Sequence, residues 1–179
     1  MQPILPARSK LTKPEKLNSG HLVADLTCGK DALDDWLKRR ALKSHLAQDS
    51  RVYVVCNDAG KVVGYYAICS SVVARKEAIS KIRRNAPDPV PMVLIGRLAV
   101  CQDMHNMGIG SALIRDAIFR TINASEHIGV KGILLHAMDD EAASFYAHIG
   151  FQPSPVDDKI MMIRLKDIAA ELSNGPHSG

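Results

Sequence analysis

From Cys28 onward, apolar residues recur at two different spacings, and the alternation between them outlines a succession of helices and strands. Leu33, Trp36, Leu37 and Ala41 fall at helical intervals. Asp31, Asp34 and Asp35 stand in the first turn and Lys38, Arg39, Arg40 and Lys43 further along, the order a helix dipole favours. Trp36, the sole tryptophan, reads as a core anchor of this helix. Two runs rich in Val, Tyr and Ile follow at 51–57 and 61–71, and the short connection Asp58-Ala59-Gly60 makes them a hairpin. A short basic helix is predicted over 75–84, stopped by Asn85-Ala86-Pro87-Asp88-Pro89 because prolines at that spacing cannot continue it. A third strand at 91–100 leads through a loop at 101–107 into a helix over 108–123, with Leu113, Ile114, Ala117 and Ile118 on one face. A buried strand at 132–138, a helix at 140–148 ended by Gly150, and strands at Phe151 and 160–165 complete the pattern. Strands and helices alternating in this way imply right-handed crossovers and an α/β fold with a partly parallel, mixed sheet. No repeat or linker divides the chain, so residues 1–179 read as one domain, with 1–10 and 173–179 as flexible ends.

Composition narrows the class without naming a function. Apolar residues make up 46% and charged residues 23%, and the mean hydropathy is −0.04, values of an ordinary soluble globular protein. At 179 residues the chain can bury a core without metals or disulfides. No apolar run approaches the ~20 residues of a membrane helix, and the first residues lack the apolar stretch of a secretory signal, so the expected compartment is the cytoplasm. Cys28, Cys56, Cys69 and Cys101 form no C-x-x-C pair and read as reduced and structural. The seven histidines show no metal-ligand spacing, so no metal is expected. The net charge of +4 is modest but uneven. Lys38-Arg39-Arg40 with Lys43, and Arg75-Lys76 with Lys81, Arg83 and Arg84, are either solvated faces or the footprint of a polyanion, and composition does not choose.

The chemistry sits where a strand runs into a glycine-bearing loop and then a helix. Gly108 and Gly110 fall at the helix start, where backbone N–H groups lack partners and the dipole is positive, an arrangement that takes phosphate if no Cβ blocks the approach. A dinucleotide fingerprint would need a third glycine where Leu113 stands, and no segment supplies a P-loop Gly-Lys-Ser/Thr. What remains is (Q/R)-x-x-G-x-(G/A), present as His105-Asn106-Met107-Gly108-Ile109-Gly110, with histidine in place of the usual Gln or Arg.

That loop resembles the pyrophosphate loop of GNAT acetyltransferases. The resemblance extends over about residues 10–170 through Cys28-Gly29, Leu33-Asp34-Asp35-Trp36-Leu37, Gly64-Tyr65-Tyr66, Arg97-Leu98-Ala99-Val100, Ser144-Phe145-Tyr146 and Gly150-Phe151. Together these resemble the TacT/KacT-like GNAT toxins of type II toxin–antitoxin modules. The resemblance implies a central twisted mixed sheet flanked by helices, with acetyl-CoA lying along the strand before the loop. Leu98, Ala99 and Val100 would then give backbone hydrogen bonds to the pantetheine arm, and an N–H near Val100 would steady the thioester oxygen. His105, Asn106, Met107, Gly108, Ile109, Gly110 and Ser111, with Ser144 and Tyr146, would complete the cofactor site.

By the same resemblance Tyr146 donates a proton to the departing CoA thiolate. At ordinary values, ~10 for a phenol and ~8.5 for a thiol, full transfer is uphill by about 2 kcal/mol. Asp139, Asp140, Glu141 and His136 all lie near the expected site in sequence, and the pattern selects no general base among them. The implied acceptor is the α-amine of an amino acid on tRNA. An α-amine of pKa ~8 is partly neutral at pH 7, whereas a lysine at ~10.4 costs about 4–5 kcal/mol to deprotonate. Arg39, Arg40, Lys43, Arg83, Arg84 and Arg97 would form the tRNA surface. A ribbon-helix-helix antitoxin and a homodimer are the implied partners. The alternatives are an acetyltransferase acting on a small amine or a protein amine, and a module that holds CoA without catalysis.

Overall fold

The computed structural model describes residues 10–168. The ends expected to be flexible, 1–10 and 173–179, lie outside them apart from Lys10. In chain order the elements are β1 (Glu15–Lys16), α1 (Asp31–Arg39), α2 (Ala41–Leu46), β2 (Arg51–Cys56), β3 (Val62–Val73), α3 (Ser80–Arg83), β4 (Val90–Val100), α4 (Ile109–Ser125), β5 (Gly132–His136), α5 (Asp140–Ile149), β6 (Gln152–Pro153) and β7 (Ile160–Arg164). The strands form one mixed sheet in the order β1-β2-β3-β4-β5-β7-β6, parallel at β4–β5 and antiparallel at β1–β2, β5–β7 and β6–β7. The described residues fall into two compact units: one holds 10–67 with Arg97–Leu113, and the other holds Ile68–Gly96 with 114–168.

In the first unit Leu17, Leu26, Leu37, Ala41, Val52, Val54, Tyr65 and Ala99 belong to one buried cluster. The helix predicted from 31 onward is two helices, because Arg40 leaves helical geometry at φ −127°. The second is tied to the sheet on its own account: buried His45 accepts the Val52 N–H on Nδ1 at 3.0 Å. Asp34 does more than complement the dipole. It is 5% exposed and its carboxylate accepts the Cys28 N–H at 3.0 Å, fixing the segment that enters α1. Trp36, expected as a core anchor, is half-buried: it packs against this cluster and stacks on Tyr65. The hairpin forms as predicted: the Asn57 carboxamide oxygen accepts the Ala59 and Lys61 N–H groups, and Gly60 supplies a φ of +75°.

In the second unit the basic helix expected over 75–84 is interrupted. A 3₁₀ turn at Arg75–Glu77 gives way to extended backbone at Ala78 and Ile79 before α3 begins. Ala78 and Ile79 are adjacent and both buried against Val90, Met92, Leu134 and Met162, which an extended pair achieves here. The β4–β5 register pairs Met92 with Gly132 and Ile95 with Leu135. A Cβ built at Gly132 would stand 2.4 Å from the Ile163 carbonyl oxygen and 3.1 Å from Ile82 Cδ1. Backbone cannot yield as a side-chain tip can, so Gly132→Ala should lower stability by about 3 kcal/mol, read as a fall in the urea midpoint at an unchanged slope.

All four cysteines are free thiols, Cys28 and Cys56 buried and Cys69 and Cys101 half-buried. Burial, then the Asp34 carboxylate, pushes the Cys28 thiol up to about 11, so it stays an unreactive hydrophobe. Among the described residues no helix is long and apolar enough to cross a membrane.

Candidate active site

Pairing of β4 with β5 ends at Ile95, although β4 itself continues to Val100. Along that continuation Ala99 is buried while Leu98 and Val100 stay half-buried. Gly64 of β3 comes so close that a Cβ there would lie 3.3 Å from the Ala99 carbonyl oxygen and 3.2 Å from Leu113 Cδ1. The chain beyond the strand is then pinned in turn. The Cys101 N–H donates to the Val63 carbonyl at 2.8 Å and the Gln102 N–H to the Thr27 carbonyl at 2.8 Å. The Gln102 side chain fills the space a Cβ at Gly29 would need, 2.7 Å away, and Gly29 itself has φ +94°.

A 3₁₀ turn, Gln102–Met104, brings the chain to His105, whose Nε2–H donates to the Val100 carbonyl at 2.8 Å. His105 thus closes the loop on the strand that precedes it. Asn106 and Gly108 both take left-handed backbone, φ +63° and +81°, turning the chain sharply into α4. Nothing lies within 4 Å of the Cβ position at Gly108, so its flank is open. The first intrahelical bond of α4 runs from the Ala112 N–H to the Gly108 carbonyl at 3.1 Å. The N–H groups of Gly108, Ile109, Gly110 and Ser111 consequently have no partner inside the helix, at its positive end. Buried Ile109 and Leu113 hold that helix start in place. One short segment of the first unit therefore gathers every cofactor residue expected from 98 to 111.

The second unit carries Tyr146, Ser144 and the acid–base candidates. Tyr146 stands on α5, edge-on to Phe145 at 5.2 Å and to Phe151 at 5.9 Å between ring centroids. Burial, aided by the Asp139 carboxylate, pushes its phenol up to about 12. Asp139 caps α5, accepting the Ala142 N–H at 2.8 Å, and Gly150 ends that helix at φ +123°. Ser144 is exposed on the same helix. Of the base candidates, Asp139 is committed to the cap and Asp140 is ion-paired to Lys159. Glu141 and His136 are exposed.

Arg39, Arg40 and Lys43 are exposed on α1, on α2 and at the junction between them, and Arg83 and Arg84 are exposed in the second unit at the end of α3. Arg97 is half-buried, its guanidinium carbon 4.3 Å from the centroid of the Trp36 ring. Among the described residues none of these six cations is ion-paired to a carboxylate. Glu15, His21 and Cys56 bring potential metal-ligating atoms within 4.8 Å of one another, a grouping their spacing in the chain does not reveal. His21 Nδ1 accepts the Asn18 N–H, so the ring proton is on Nε2 and is given to Glu15; the lone pair a metal would need there is absent.

Gly64, Gln102 and Gly29 are site-shaping residues the sequence reading did not single out for this role. A glycine inside a strand of β-branched and aromatic residues is the one available signal, and it marks Gly64.

Comparison with known proteins shows the family. Residues 48–153 match the family model described as an acetyltransferase (GNAT) domain. The chain is 43% identical over 162 residues to a tRNA-acetylating toxin of Mycobacterium tuberculosis, covering 90% of this chain and 97% of the relative. The toxin AtaT complexed with acetyl-methionyl-tRNA superimposes with a TM-score of 0.84 at 26% identity, over 91% of this chain and 99% of that one. A tyrosine-to-phenylalanine mutant of AtaT, bound to the C-terminus of the antitoxin AtaR and to acetyl-CoA, gives 0.77 at 26% identity, over 93% and 99%. The chain is an acetyltransferase that belongs to the GNAT family, in the toxin branch these relatives represent.

Proposed function

We propose that the enzyme transfers the acetyl group of acetyl-CoA to the α-amine of the amino acid on charged tRNA, and so stops translation. The observation that carries the donor half is the set of four N–H groups at 108–111 without helical partners, beside an open flank at Gly108. They suit a pyrophosphate, and Leu98, Ala99 and Val100, on the part of β4 that runs on beyond its pairing with β5, suit the arm attached to it. His105 contributes by holding this loop closed on Val100. The acceptor half rests on the likeness to a tRNA-acetylating toxin along nearly the whole chain and on the acetylated charged tRNA held by AtaT.

Acetyl-CoA supplies the acetyl group as a thioester. The backbone near Val100 offers an N–H to the carbonyl oxygen as negative charge develops there. Tyr146 gives its proton to the sulfur as the carbon–sulfur bond breaks. The attacking α-amine needs little help, being partly neutral at pH 7, and the proton it sheds as the amide forms goes to solvent, from which Tyr146 regains its own. One catalytic domain acts, as a homodimer in the cytoplasm, and a ribbon-helix-helix antitoxin neutralises it; the AtaT complex with the C-terminus of AtaR supports such a partner.

Arg39, Arg40, Lys43, Arg83, Arg84 and Arg97 take the tRNA phosphates in this reading. Reversing Arg83→Glu and Arg84→Glu together should raise the KM for charged tRNA by about tenfold or more at low salt, with the gap narrowing as salt rises. Kinetics at two ionic strengths check this. Equal KM values at both, with good activity on a free polyamine, would instead favour a small-amine acceptor.

A further inference from the structure

Arg97 opens the segment Arg97–Val100, so along β4 it precedes the backbone assigned to the pantetheine arm. Its guanidinium lies over Trp36 at 4.3 Å. Trp36 in turn stacks on Tyr65, with centroids 6.0 Å and planes 13° apart. The Tyr65 hydroxyl donates to the Leu33 carbonyl at 2.7 Å. The stack is therefore tied to α1 twice, through Trp36 itself and through Leu33 one turn earlier. Tyr65 is fully buried, and that burial raises its pKa far above the ordinary phenol value, so it remains a neutral donor.

A half-buried arginine is ordinarily paired with an acid. Among the described residues Arg97 has no carboxylate within ion-pair distance, and its recorded partner is the face of an indole. A guanidinium held over the ring face keeps its charge in place while N–H donors remain for a bidentate contact with an oxyanion. The order of residues says whose oxyanion. The pyrophosphate belongs at 105–111 and the arm runs back along Val100, Ala99 and Leu98, so Arg97 lies beyond the acyl end, where the acceptor arrives.

We infer that Trp36, stacked on Tyr65, holds the Arg97 guanidinium as a clamp for a backbone phosphate of the acceptor's 3′-terminal nucleotides. Trp36 is the positioning residue and Arg97 the phosphate ligand. The inference rests on charged tRNA being the acceptor, and it adds which residues grip the end of that acceptor and how.

The test compares two acceptors, charged tRNA and an amino-acid ester that carries no phosphate. With charged tRNA, Trp36→Leu and Arg97→Gln should each raise KM by about tenfold, with kcat much less affected. The loss on the ester should be smaller by that factor. Trp36→Phe keeps an aromatic face and should recover most of the affinity, which a leucine of similar bulk cannot do. Should Trp36→Leu fail to fold, Trp36→Phe and Arg97→Gln decide by the same comparison. Trp36 is the sole tryptophan, so the emission of the full chain reports on the clamp directly. Titrating the trinucleotide CCA should change wild-type emission saturably and leave Arg97→Gln unchanged. Equal losses on both acceptors, a wild-type KM in Trp36→Leu, or no emission change with CCA would each overturn the clamp. A wild-type enzyme that fails to acetylate charged tRNA contradicts the proposed acceptor instead, and the emission titration then decides the clamp alone.

Discussion

Tyr146→Phe should lower kcat for acetyl transfer by about a hundredfold or more, in the range expected for losing a positioned general acid, while the protein stays folded. The ring makes its edge-on contacts with Phe145 and Phe151 through carbon atoms, so phenylalanine preserves them. Only the proton is lost. The structure changes the energetics of that proton. With the phenol pushed up to about 12, full transfer to a thiolate of ~8.5 is uphill by about 5 kcal/mol, compared with about 2 at the ordinary phenol value. A step that steep is not completed in advance. In the proposed role the proton moves as the sulfur acquires charge, and a strong hydrogen bond carries the early part of the change.

The raised value also fixes a pH dependence. A phenol with a raised pKa keeps its proton to higher pH, so the donor form remains full through pH 10 and is depleted only near 12. The acceptor amine, meanwhile, gains its neutral form as pH rises through ~8. Wild-type kcat/KM should therefore climb from pH 6 to 9 and hold level to 10. A falling limb centred near 10 that Tyr146→Phe lacks would show that the buried environment does not act on this group as described.

The second large effect concerns the donor. Gly110→Glu places a carboxylate in the first turn of α4, where a helix dipole welcomes negative charge, so thermal stability should hold or rise slightly. The same carboxylate would sit among the N–H groups of 108–111, the site proposed for the pyrophosphate. Like charges brought together at close range cost several kcal/mol, and the KM for acetyl-CoA should rise by about a hundredfold. A stable variant with impaired donor binding separates this reading from one in which the glycines merely make a turn. If KM for acetyl-CoA stayed at the wild-type value, the helix start would not be the pyrophosphate site.

Much of the architecture was legible because its signals are local. The hairpin at Asp58-Ala59-Gly60, the strand–loop–helix at 91–123 and the helix ended by Gly150 each carry their own punctuation within a few residues. The failures came where distant partners overrode local pattern. The spacing from Leu33 to Ala41 suits a single helix, yet Arg40 breaks it, and His45 beyond the break bonds to Val52. The basic run from Arg75 looks helical, but Ala78 and Ile79 are drawn into extended backbone by a buried cluster that includes Leu134 and Met162. At the site, a motif revealed which residues form the loop and not what fixes them. Gly29 and Gln102 meet only once the chain has folded, and nothing near either residue announces the other. His105 shows the same limit. The motif lists it, in place of Gln or Arg, among the residues of the cofactor loop, whereas the structure engages its Nε2–H with the Val100 carbonyl, a bond that closes the loop. Asp139 was one of four interchangeable acid–base candidates until its carboxylate proved to be the cap of α5.

The most direct measurement incubates the full chain with acetyl-CoA labelled in the acetyl group and total charged tRNA, with deacylated tRNA in parallel. The bound amino acids are then released by mild base and identified by mass spectrometry. The account predicts label on N-acetylated amino acids from one or more charged tRNAs, none on deacylated tRNA, and near-complete loss with Tyr146→Phe. Label that stays on the nucleotides after release, or that appears equally with deacylated tRNA, would contradict it.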